Sequence, residues 1–86
     1  EKYPDYFDGH YELGMVLLEQ DITLPAIAEL KVALHINPRH FATQFNLGVA
    51  YWKIKRYDQA KYHFRTALAL EPKNSAILDL QKKIRF

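Results

Sequence analysis

Apolar residues recur along this chain at helical spacing, and short polar stretches interrupt them. Between Phe41 and Ile54, the side chains of Phe45, Leu47, Gly48 and Tyr51 fall on one helical face. A polar turn follows at Lys55-Arg56, after which Ala60, Phe64, Ala67 and Leu68 repeat the spacing. Pro72 has no amide hydrogen and cannot continue a helix, so it closes the segment. Gly48 and Ala60 are small enough for two helices to cross with their backbones close. Tyr51 and Phe64 then fill the wedge beside the crossing. Extended over the chain, the pattern predicts five helices, at about Tyr6–Glu19, Leu24–Ile36, Phe41–Ile54, Asp58–Leu70 and Ser75–Arg85. The expected N-caps are Asp5, Thr23, Asp58 and either Asn74 or Ser75. Pro25 falls in the first turn of the second helix, where its missing N–H costs nothing.

The pattern repeats within the chain. Shifting Leu47, Gly48, Tyr51, Ala60, Phe64, Ala67 and Pro72 back by 34 residues gives Leu13, Gly14, Leu17, Ala26, Leu30, Ala33 and Pro38. Five of these are unchanged, and the two aromatics become leucines. A further step of 34 from Pro38 reaches Pro4, which suggests that Glu1–Tyr6 is the tail of a preceding unit or imitates one.

This set resembles the tetratricopeptide repeat, a helix–turn–helix unit of about 34 residues. With Phe41 as position 1, residues 47, 48, 51, 60, 64, 67 and 72 all hold the family's marker residue. The remaining marker, usually Trp, is Gln44 here. The resemblance implies an all-α, right-handed superhelical array with a C-terminal capping helix. Its parts would be residues 1–6 as a remnant or cap, units at 7–40 and 41–74, and the capping helix at 75–86. In the capping helix Ile77, Leu80 and Ile84 form one stripe for docking, and Gln81-Lys82 stand where Leu-Gly would be. Two turns depart from the family: Asp21 and Lys55 replace the usual glycine. Both are expected to be slightly strained or re-shaped, Lys55 the more so.

The family's first helices line a concave groove. The positions concerned here are Asp8, Tyr11, Glu12, Met15, Leu18 and Glu19, then Ala42, Phe45, Asn46, Val49, Trp52 and Lys53. Tyr11, Met15, Leu18, Phe45, Val49 and Trp52 would form one apolar stripe. Either it is partly buried against neighbouring helices, or it is a peptide- or helix-binding groove in which Asn46 and Lys53 take part. The chaperone-carboxylate clamp found in one subset of the family is not expected, because only Asn46 of Tyr11, Met15, Asn46, Ala76 and Leu80 agrees with it. Family positions that face the preceding unit are Thr43 and Ala50 in the second unit, and Gly9 and Val16 in the first. Nothing but the six leading residues is available to cover the latter pair. This suggests a fragment of a longer protein, or a second copy pairing through the N-terminal face.

Composition narrows the chemistry. Eighty-six residues make one small domain, and the absence of cysteine excludes disulfides and thiolate metal sites. No apolar run reaches the roughly 18 residues of a membrane span, and no targeting leader opens the chain. Membrane insertion is not expected, and the default location is cytoplasmic. Residues 1–43 carry seven acids and three bases, whereas residues 44–86 carry three acids and nine bases. The two ends are either solvated faces, a basic site for an acidic partner, or a means of end-to-end association. Nucleic-acid binding would rest on that charge alone and is disfavoured. His10, His35, His40 and His63 have no metal-ligand spacing, Ser75 reads as a cap, and three scattered glycines cradle no phosphate. No catalytic residue, metal or cofactor is expected. The reading is a non-catalytic protein–protein interaction module, with a structural self-assembly module as the alternative.

Overall fold

The structure, a computed structural model, describes residues 5–86; the expectation for Glu1–Pro4 lies outside these, and Asp5, expected as a cap, is the first residue of the first helix itself. Five helices follow in order: α1 (Asp5–Glu19), α2 (Thr23–Ile36), α3 (Phe41–Lys53), α4 (Tyr57–Leu70) and α5 (Ser75–Ile84). Among the described residues there is no strand. The fold is an all-α helical repeat: α1 packs on α2, α3 on α4, α2 on α3, and α5 closes against α4.

The two hairpin turns are built alike. The N–H of Ile22 donates to the Leu17 carbonyl at 2.9 Å, and that of Asp21 to Leu18 at 3.0 Å. Thirty-four residues on, Arg56 donates to Tyr51 at 2.9 Å and Lys55 to Trp52 at 3.0 Å. This is the Schellman closure, which needs a left-handed residue at its penultimate position. Asp21 and Lys55 supply it, with φ of 61° and 65°. The following helices then start at once, because Ala26 donates to the Ile22 carbonyl and Ala60 to that of Arg56. Ile22 and Arg56 thus occupy the N-cap positions and offer no side-chain cap. Thr23 and Asp58, expected as caps, lie inside their helices. The tight turn leaves no residue between closure and cap.

The turns after α2 and α4 are different. There His40 and Asn74 are true caps, in extended backbone. Asn74 Oδ1 accepts from the N–H of Ala76 at 2.9 Å, as anticipated for Asn74. His40 Nδ1 accepts from the Thr43 N–H at 3.2 Å. That histidine cap was not foreseen, since imidazole is not among the usual capping groups.

Gly14 and Gly48 each mark a close approach. A Cβ on Gly14 would come within 2.8 Å of Leu30 Cγ, and one on Gly48 would strike the ring of Phe64. The expected crossing is present, but Phe64 rather than Ala60 closes on Gly48. The core runs through both hairpins, with Leu30, Leu47, Phe64 and Ile77 its largest fully buried side chains. Its two ends are not equivalent. Leu47 and Ala50 are 0% exposed beneath α2, whereas their counterparts Leu13 and Val16 are each 47% exposed.

Candidate functional site

The α3 members of the expected stripe come together. Phe45, Val49 and Trp52 project from one side of α3, with Lys53 beside them, into a recess of about 200 Å³. Leu80 and Ile84 of α5 form the opposite wall, and Phe64 lies at its base. Spacing explains the α3 wall: residues 45, 49 and 52 are successive turns of one helix face. The α5 wall follows from the same amphipathic stripe that docks this helix, of which Ile77 is wholly buried. Leu80 and Ile84 were legible as docking residues. Their second role as a wall of the recess depends on where α5 settles.

The α1 members are placed differently. Tyr11 stacks on Phe7 at 5.8 Å and meets the His40 ring edge-on at 5.0 Å. Burial raises the pKa of its hydroxyl above the ordinary value, and the neighbouring Asn46 side chain offsets this in part. Asn46 also donates to the Ala42 carbonyl one turn earlier, at 2.8 Å. Met15 is half-buried against the core. Leu18 is a correction: at 6% exposed it belongs to the core and offers no groove surface. It lies one turn from Gly14, on the face that α1 turns toward α2. Trp52, its counterpart, is half-buried, with its ring 4.5 Å from that of Tyr57.

Lys53 reaches across from the end of α3 to the α1–α2 turn, where its Nζ lies 2.8 Å from Asp21 Oδ1. Among the described residues no three His, Asp or Glu side chains gather as a metal would require. No helix there is long and apolar enough to cross a membrane.

Sequence reasoning missed a second set of contacts. Gln44, where the family usually has Trp, is buried between α3 and α4, donates to the Pro38 carbonyl at 3.2 Å and accepts from His63 Nδ1 at 2.9 Å. The buried amide is therefore satisfied at both ends. The departure from Trp was itself the signal, since a buried amide needs partners.

The family model described as the tetratricopeptide repeat matches residues 41–74. Among curated proteins, the chain is 39% identical over 46 residues to anaphase-promoting complex subunit 3 of Schizosaccharomyces pombe. That match covers 54% of this chain and 7% of the relative. It is 28% identical over 72 residues, or 84% of its length, to a UDP-N-acetylglucosamine–peptide N-acetylglucosaminyltransferase of Giardia intestinalis, of which it covers 5%. It is 28% identical over 83 residues, 87% of its length, to the nuclear autoantigenic sperm protein of Bos taurus, covering 11%. The chain thus spans about a tenth or less of the length of these relatives. The hairpin of α3 and α4, with Gly48 closed on Phe64 and Pro72 behind it, is the stretch that the tetratricopeptide-repeat model matches.

Proposed function

We propose that this chain is a non-catalytic protein-interaction module that binds a peptide or helix of its partner in the recess between α3 and α5. Its units would be residues 7–40 and 41–74, closed by the helix at 75–86. The observation that carries the reading is the recess itself. Phe45, Val49 and Trp52 of α3 face Leu80 and Ile84 of α5 across a space that a bulky side chain can fill. Aromatic anchors in a partly desolvated pocket are where binding energy concentrates. The Giardia relative is named as an enzyme, but the similarity spans 5% of it and lends this chain no reaction. The test is selection of peptides from a random displayed library on the folded chain. Enriched peptides should shift the emission of Trp52, the single tryptophan. Trp52→Ala should weaken them by more than about 1 kcal/mol with helicity kept. Loss of helicity instead would return Trp52 to the core and remove the groove.

A second reading, association of copies through the open face of α1, is favoured by the exposure of Leu13 and Val16. Glu12 and Glu19 on α1, and Lys82 and Lys83 on α5, would favour head-to-tail contact. Sedimentation over a concentration series at low and high salt tests it; a monomer throughout rules it out.

A further inference from the structure

We infer that the recess between α3 and α5 selects a bulky apolar group with a single carboxylate beside it, and that Lys53 is the residue that selects the carboxylate. This rests on the groove reading above. Size comes first. A cavity of roughly 150 Å³ with apolar walls is enough to hold benzene, so about 200 Å³ accepts a phenyl ring or a branched aliphatic side chain. Charge comes second. The lining is almost wholly apolar; Lys53 is the one charged residue that contributes to it, and its ammonium lies at Asp21 beside the recess.

Lys53 is already in contact with Asp21, at 2.8 Å. That contact does not exclude a ligand. An ammonium has three donors and Asp21 takes one. The Asp21 carboxylate is 76% exposed, so solvent screens the pair and it holds the lysine weakly. The rest of the groove argues against a long acidic tract. Asp8, Glu12 and Glu19 are exposed along α1 and would repel it. α5, the other wall of the recess, carries exposed Lys82 and Lys83 against Asp79, so its charge is net positive. One carboxylate next to one anchor matches this distribution.

The test uses two small probes with the same apolar group and opposite charge, phenylbutyrate and phenylbutylamine. Each is titrated against the folded chain at low ionic strength while Trp52 emission is followed. Phenylbutyrate should act at about two- to fivefold lower concentration, the range a solvent-exposed ion pair supplies. Lys53→Gln should abolish the difference with helicity unchanged. Asp21→Asn should widen it, since Asn also tolerates the left-handed turn and leaves the ammonium unshared. Equal action of the two probes, with Lys53→Gln silent, overturns the carboxylate inference and leaves the groove standing. Preference for the amine, as a cation on the indole face would give, overturns it as well. If neither probe reaches Trp52 in the parent chain, the groove reading and this inference fall together.

Discussion

His63 and Gln44 form the same cross-helix pair in the second hairpin that Glu29 and His10 form in the first. His63 Nδ1 donates to Gln44 Oε1 at 2.9 Å, and 34 residues earlier His10 Nδ1 lies 2.6 Å from Glu29 Oε1. Both pairs join the first helix of a hairpin to the second, in the place where a family tryptophan would pack. The first pair lies nearer to solvent, with its side chains 28% and 29% exposed, and can hold a carboxylate. The second lies over the α2–α3 junction, where Gln44 also holds the Pro38 carbonyl. A neutral amide and a neutral imidazole suit that buried place.

The His63 pair predicts a pH dependence. Burial lowers the His63 pKa below its ordinary value, and the positive charge of Lys31 lowers it further. The unfolded chain therefore binds the proton more readily than the folded one. The contribution of His63 is fully present above the unfolded pKa, near 6.5, and is lost as pH falls through the lowered folded value. Urea midpoints between about pH 5 and 8 should drop on the acid side. In His63→Gln the drop should shrink; an unchanged profile in that variant assigns the effect to another group.

The three glycines should respond to alanine in opposite directions. Gly9 faces open space, so Gly9→Ala should stabilise by about 0.5–1 kcal/mol through helix propensity. In Gly48→Ala the new methyl strikes the buried Phe64 ring, and in Gly14→Ala it strikes Leu30. Overpacking of about 1–3 kcal/mol should outweigh the propensity gain in both. Thermal melts of the three variants check the signs, and a stabilised Gly48→Ala contradicts the tight crossing.

Lys55→Gly should raise stability by about 1 kcal/mol, the left-handed penalty that a non-glycine residue carries at φ 65°. Lys55 is the cleaner site for this measurement, since Asp21→Gly also removes the contact with Lys53. A destabilised Lys55→Gly in chemical denaturation means that the lysine side chain contributes more than its backbone costs.

Equal leucines at equivalent positions should differ in worth. Leu47→Ala empties a fully buried site and should cost about 2–5 kcal/mol. Leu13→Ala, at a half-exposed site, should cost less than about 1 kcal/mol. Similar losses in denaturant titrations of the isolated chain mean that something covers the α1 face after all.

The five helices, their order and their 34-residue recurrence were determined by the sequence alone, because they depend on local and periodic features. Apolar spacing sets each helix face, Pro38 and Pro72 end their helices, and Gly14 and Gly48 mark where partners approach. The left-handed turns at Asp21 and Lys55 were also readable, since the family's glycine requirement is a backbone requirement. Tertiary structure decided the rest. Whether Leu13 or Leu47 is buried depends on a neighbouring helix and not on leucine. Whether Leu18 is groove or core depends on which face α1 turns toward α2. Thr23 and Asp58 have capping chemistry, yet the Schellman closure gives their place to Ile22 and Arg56. The His63–Gln44 pair and the recess between α3 and α5 join residues far apart in the chain. Their side-chain patterns fix which faces are apolar, and only packing fixes which faces meet.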